Sequence, residues 1–383
     1  MTLYFDNAAT SFPKPDSVLD AVVHYHKHLP ASAGRGGYRE AVEAGRMLAS
    51  LRESLARYLN APHPERMIFT LNGTDALNLA IKGTLRAGDH VVTTSYDHNS
   101  VLRPLHRLES DGLVNVTHVA ARVDGLVHAD DVAAAMKSTT RLVVMTHASN
   151  VTGAILPAEE VAQIAHRGGA LFLLDAAQSV GRIPVDVTAL DVDLLAFPGH
   201  KALMGPQGTG VLWIRDGVDV APLREGGTGS RSDQPIQPTD LPDRFEPGAH
   251  NGPGLAGLLA AVSWHLSMGP DVIFARHRRL SELLFGILTS LPRVLVPGPV
   301  SLKQRIPIMS AQFAGVDSLI LAQELDRQFE IKVRGGFHCA PLAHRNLETS
   351  AAGGAVRFAP GYFTTDADLE TLGLALRTMT VSP

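Results

Sequence analysis

Residues 193–210 read DLLAFPGHKALMGPQGTG: an apolar run, DLLAFP, passes straight into His200 and Lys201 and then into a glycine-rich turn. A short apolar run bounded by turn signals reads as a strand buried on both faces, the kind found in parallel sheets covered by helices. The preceding chain fits that reading. RMIFTL (66–71), HVVTTS (90–95), VNVTHVA (114–120), RLVVMTHAS (141–149) and ALFLLDAAQ (170–178) also read as strands, and GVLWIR (210–215) follows as another. Between them GTDALNLAIKGTL (73–85), SVLRPLHRLES (100–110), ADDVAAAMKST (129–139) and PAEEVAQIAHRGG (157–169) carry helical patterns. The fold class is α/β, a large domain with a mostly parallel seven-stranded sheet. In such sheets ligands bind beyond the carboxyl ends of the strands, so the loops there are where chemistry is expected.

Residues 225–254 are dense in Gly and Pro and read as an extended excursion. Beyond them LAGLLAAVSWHLSMG (255–269) and ARHRRLSELLFGILTSL (275–291) look helical. IPIMSAQFAG (306–315) and EIKVRGG (330–336) look like strands, and DADLETLGLALRTM (366–379) like a closing helix. We therefore expect residues 1–258 as the large domain and 259–383 as a smaller α+β C-terminal domain, with the first few residues free to pack on the latter. A chain of 383 residues suits two or three domains.

The balance of 34 basic against 38 acidic residues gives no footprint for nucleic acid or for an anionic membrane surface. No apolar run approaches the ~20 residues of a membrane span, and MTLYFDNAAT lacks the regions of a signal peptide. A single cysteine, Cys339, forms no internal disulfide, which fits a reducing cytoplasm.

Chemistry collects at the expected strand ends. A lysine at the mouth of a sheet, Lys201, suits Schiff-base chemistry when its surroundings lower its pKa; the other reading is a solvated loop lysine. Asp175 ends LFLLD and is placed to pair with a cationic ring nitrogen, or to cap the following helix. Gly73 and Thr74 open a helix, whose free N–H groups suit an anion. His98 in SYDHNS is placed to lie flat on a ring, and Asn150 in HASNVTG to bond a ring hydroxyl or shape its turn. Arg357 in AVRFAPGYFTT suits a bidentate grip on a carboxylate. His24 and His28 stand four apart on a helix, but no third ligand is evident, so no metal site is expected. The absence of G-x-G-x-x-G after a strand and of a Walker-type G-K-[ST] argues against dinucleotide and P-loop functions.

YFDNAAT, GTDALNLA, YDH, HASNVTG, DAAQ, GHK and GGFHCAP follow one another in the order seen in class V aminotransferase-fold enzymes. DAAQ followed by GHK is the specific part, and HCA in a glycine-flanked loop resembles the cysteine desulfurase and selenocysteine lyase branch, of the short-loop group II type. The resemblance implies pyridoxal phosphate as cofactor, its fold type I, and a homodimer. It implies Lys201 as the Schiff-base lysine, Asp175 at the pyridine nitrogen, Gln178 at the ring hydroxyl and His98 stacked on the ring. Gly73, Thr74 and His200 would hold the phosphate, and Asn150 would orient cofactor or substrate. Arg357, with Arg334, would take the substrate carboxylate, and Cys339 would accept sulfur from L-cysteine, leaving alanine and a persulfide for a protein acceptor. His338 adjoins Cys339, but neighbours on an extended segment point to opposite faces, so it is not assigned as base.

Three places depart from the family pattern. Pro198 stands where a serine usually donates to the phosphate, and Ala249, in GAHN, replaces the threonine of GTPN in the loop that reaches the partner subunit's phosphate. His250 or backbone groups are the expected substitutes. RFAPGYFTT differs from the commoner Arg-Ala-Ser start of the substrate region. The alternatives left open are a selenocysteine lyase or other C–S lyase, an aminotransferase or epimerase in which Cys339 is incidental, and a sulfur-transfer or scaffold protein without cofactor.

Overall fold

Successive side chains of a strand point to opposite faces, so a strand apolar at every position needs cover on both sides. The computed structural model, which describes residues 3–29 and 31–381, supplies that cover. After β1 (Leu3–Tyr4), α1 (Asp16–His28) and α2 (Arg39–Tyr58) come β2 (Met67–Thr70), α3 (Gly73–Thr84), β3 (Asp89–Thr94), α4 (Asn99–Ser110) and β4 (Val114–Val119). Then follow α5 (Ala129–Ala135), β5 (Thr140–Thr146), α6 (Ala158–Arg167), β6 (Leu171–Asp175), β7 (Leu194–Pro198) and β8 (Gly210–Ile214). Strands β2 to β8 form one seven-stranded sheet in the order β2-β8-β7-β6-β5-β3-β4. Only β8 runs against its neighbours. Val143, Met145, Phe172 and Phe197 face one core, and Leu142, Val144, Leu173 and Ala196 face the other. The α/β class with a mostly parallel seven-stranded sheet is the observed one.

The second half contains α7 (Gly252–Met268), α8 (Pro270–Thr289), β9 (Val294–Leu295), β10 (Met309–Phe313), α9 (Ser318–Phe329), β11 (Ile331–Lys332), β12 (Arg334–Gly336), α10 (Pro341–Asn346), β13 (Ala355–Phe358) and α11 (Asp366–Val381). Its antiparallel sheet, β12-β13-β10-β9, shares a third core in which Leu280, Leu284, Phe358 and Leu372 meet Phe5. β1 pairs in parallel with β11, Leu3 opposite Ile331, so the first residues do lie on this half.

Several local expectations change. EIKVRGG is two strands in different sheets, divided at Val333: β11 joins β1, and β12 joins β13. α7 begins three residues before LAGLL, because proline is tolerated in a first turn and the Asn251 side chain accepts the Gly254 amide at 3.1 Å. The division expected after residue 258 falls inside α7, where Leu258 and Val262 belong to one core, and the helix ends at Gly269, whose φ of 83° only glycine adopts freely. The helix expected over 129–139 stops at Ala135. His24 and His28 are exposed on α1 with ring centroids 4.8 Å apart. Among the described residues no cluster of three metal-binding side chains occurs, and no single helix is long and apolar enough to cross a membrane.

Candidate active site

A cavity of about 330 Å³ opens beyond the carboxyl ends of the parallel strands. Asp175, the last residue of β6, is buried, and among the described residues only the Ala177 amide donates to its side chain, at 2.9 Å. Burial pushes its carboxyl above the ordinary range, against the opposing pull of Lys201. Lys201 is the third residue after β7 and faces the same cavity. Burial brings its ammonium down to about 8; Asp175 opposes the shift, while Arg357 and Arg182 add to it. The turn carrying Lys201 is pressed backbone to backbone on the loop after β6. Gly181, at φ 88°, has no room for a Cβ against the carbonyl carbon of Ala202.

Two helix N-termini reach the cavity. At the first, Asn72 caps α3 by accepting the Asp75 amide at 3.0 Å, which leaves the N–H groups of Gly73 and Thr74 without intrahelical partners. At the second, His98 caps α4: its Nδ1 accepts the Ser100 amide at 3.0 Å, so the ring proton sits on Nε2. Burial, then the charges of Lys201 and nearby arginines, push His98 down to about 3, and the ring is neutral. The hydroxyls of Thr74 and Ser100 lie 2.8 Å apart on the cavity wall. His200 Nδ1 is buried with no partner in the protein, and burial, Lys201 and Lys14 bring that ring to about 4.

Ser100 places a second hydroxyl beside Thr74 on the cavity wall, 2.9 Å from His98 Nδ1. His250 is held within its own chain by a buried acid. Its Nε2 lies 2.6 Å from Glu246 Oε2, and that buried carboxylate also pairs with both terminal nitrogens of Arg52.

On the opposite wall, Arg357 of β13 is 1 % exposed. One terminal nitrogen donates to Asp6 Oδ1 at 2.6 Å, the other to the Asn150 carbonyl at 3.2 Å, and Nε has no partner. Burial lowers its pKa, and Asp6 holds it up. Arg334 of β12 stands directly across from Arg357, and both line the cavity. Like charges opposite each other on a sheet are destabilising, and the Asp6 carboxylate on Arg357 offsets part of that cost. Arg334 also donates to Cys339 Sγ at 3.1 Å, which links the half-buried thiol to the cavity although Cys339 is not itself part of the wall.

The Cys339 segment is not extended. His338 and Cys339 both have left-handed backbones, at φ 51° and 59°. His338 Nε2 donates to the Arg334 carbonyl at 3.0 Å and Nδ1 meets His344 Nε2 at 3.1 Å, so neither nitrogen serves the thiol. Asn150 differs from expectation as well: its amide donates to the His338 carbonyl at 2.6 Å and so holds the cysteine loop. Gln178 donates to the Ala8 carbonyl at 3.1 Å and accepts from Arg182 at 2.9 Å. Burial brings the Arg182 guanidinium to about 9. Gly73, Thr74, His98, Asn150, Asp175, Gln178, His200, Lys201, Arg334 and Arg357 thus share one cavity. The sequence reading missed Ser100, Arg182 and Asp6. Asp6 stands inside YFDNAAT, and Arg182 lies four residues beyond Gln178.

Comparison with known proteins places the chain in a family. A probable cysteine desulfurase of Methanothermobacter thermautotrophicus is 36% identical over 98% of this chain and 94% of its own length. The apo structure of a cysteine desulfurase from Thermococcus onnurineus superposes with a TM-score of 0.91 at 32% identity, covering 99% of this chain and 94% of that one. A crystal structure of an Escherichia coli cysteine desulfurase gives a TM-score of 0.88 at 25% identity, covering 98% and 94%. With the sequence model of class-V aminotransferases matching residues 3–372, the chain belongs to the class V aminotransferase family.

Proposed function

We propose that this chain is a pyridoxal-phosphate-dependent cysteine desulfurase, taking sulfur from L-cysteine onto Cys339 and releasing L-alanine. The observation that carries the reading is Arg334, which lines the cavity of Lys201 and Asp175 while donating to Cys339 Sγ. The residues present fit the cofactor. The orphaned His200 Nδ1, the free N–H groups of α3 and the Thr74 and Ser100 hydroxyls suit its phosphate. Asp175 suits the pyridine nitrogen, Gln178 the ring hydroxyl, and the neutral His98 ring a stacked position. When bound, the cofactor supplies an electron sink for charge developing at the substrate α-carbon.

The chain's own groups do the rest. Arg357 and Arg334 take the substrate carboxylate, which relieves their mutual repulsion. Asn150 stands between that carboxylate and the cysteine loop. Lys201, with an amine near 8, accepts the α-proton and returns a proton to carbon. Cys339 attacks the substrate sulfur: an S–S bond forms, the Cβ–S bond breaks, and the carbon skeleton leaves as alanine. The persulfide passes to an acceptor protein, and the active form is a cytoplasmic homodimer. The cysteine desulfurases among its relatives favour this reading over a selenocysteine lyase or an aminotransferase.

Incubating the purified protein with L-cysteine and a reductant is expected to yield alanine and sulfide in equal amounts. A keto acid in place of alanine, or turnover of selenocysteine alone, would reject the proposal. The low Lys201 value adds a pH test. Because the free amine is the nucleophile, uptake of pyridoxal phosphate by apoprotein should quicken as pH rises toward about 8 and level off above it. An uptake rate independent of pH in that range would mean that another group limits the step.

A further inference from the structure

His344 lies outside the cavity wall, fully buried on α10, and the mechanism above gives it no work. Its hydrogen bonds nevertheless end at the nucleophile's loop. His338 Nε2 faces the Arg334 carbonyl, an acceptor only, so that nitrogen carries the proton. His338 Nδ1 must then accept, and the donor is His344 Nε2 at 3.1 Å. His344 Nδ1 in turn accepts, from the Thr349 hydroxyl at 2.7 Å; that hydroxyl also lies 3.2 Å from the His344 carbonyl, the longer of its two contacts. One tautomer assignment satisfies every member. Burial supports it by keeping both rings neutral, His344 at about 4 and His338 well below its ordinary value.

The chain of bonds matters because of what it spans. It starts at Thr349, crosses His344 and His338, and ends on the backbone of Arg334, whose side chain donates to Cys339 Sγ. His338 and Cys339 hold left-handed conformations, which cost a non-glycine residue about a kcal/mol or more and persist only when their surroundings fix them. Their two carbonyls are fixed from the large domain, by the Asn150 amide at 2.6 Å and the Asn99 N–H at 2.8 Å. The ring of His338 is held between the Arg334 carbonyl at 3.0 Å and His344 behind it at 3.1 Å.

We infer that His344 is a positioning residue for Cys339: through His338 it holds the left-handed turn and the Arg334 backbone in register, so that the guanidinium stays on the sulfur. The inference deepens the desulfurase reading but is tested apart from it, because the chain's single cysteine can be followed by alkylation. In holoprotein at neutral pH, His344→Phe keeps the ring packed edge-on against Phe337 but removes both hydrogen bonds. Its Cys339 should react with iodoacetamide roughly tenfold more slowly, the effect of losing a charge-assisted contact. Thr349→Val, which removes the donor to Nδ1, should slow the reaction in the same way. His344→Gln, whose amide both donates toward His338 and accepts from Thr349, should restore the wild-type rate. In turnover, His344→Phe should lower alanine formation from L-cysteine, and His344→Gln should restore it. Wild-type alkylation in His344→Phe, or slowing as large in His344→Gln, overturns the inference. Absence of alanine from every form, wild type included, would reject the desulfurase reading while the alkylation rates still decide the role of His344.

Discussion

Lys201→Ala is expected to abolish borohydride fixation of pyridoxal phosphate and to lower alanine formation by about a thousandfold or more. Two roles fall on the one amine, holding the cofactor covalently and moving the α-proton, and alanine offers neither. The structure supplies one rival. Lys14 is also brought to about 8 by burial and sits near His200, but its Nζ donates to Ser11 Oγ at 2.9 Å and it is not part of the cavity wall. Peptide mapping after borohydride treatment should therefore find the label on Lys201 in the wild type and on no residue in the variant. Label on Lys14 in both forms would transfer the assignment to that residue.

Cys339→Ser is expected to lose at least about a hundredfold in alanine formation from L-cysteine, because a serine hydroxyl is a far weaker nucleophile toward sulfur and forms no persulfide. The yellow colour of the bound cofactor should be unchanged, since Cys339 touches the cavity only through Arg334. Stability should hardly move for an isosteric change at a half-buried position. Equal turnover in both proteins would sink the persulfide mechanism. Activity kept toward selenocysteine but lost toward cysteine would mark the thiol as needed only for the stronger C–S bond.

The parts of the fold legible in the sequence are those set by local pattern. The apolar runs ending at Asp175 and Pro198 read as buried strands, and DAAQ and GHK placed Asp175 and Lys201 at one edge before any coordinates. Choices made by distant partners were not legible. EIKVRGG reads as one strand, yet its halves join different sheets because β1 and β13 compete for it. The Cys339 segment reads as extended, but Asn150, Asn99 and His344 bend it into a left-handed turn that no local preference favours. That the Ser100 hydroxyl meets Thr74 could not be read either, because the two open different helices 26 residues apart. Asn150 was identified as a site residue, yet its bond to the cysteine loop could not be read from HASNVTG.

The pairing of Leu3 with Ile331, and of Asp6 with Arg357, places the chain's beginning against its last third. A ribosome makes the first strand long before its partner exists, so β1 and Asp6 must wait while the seven-stranded sheet takes shape behind them. The lysine end of the cavity can thus be in place while the arginine end is still missing. A nascent chain halted before residue 331 would carry Lys201 and Asp175 with nothing to recognise a substrate carboxylate, and its unpaired first strand would be its most exposed edge.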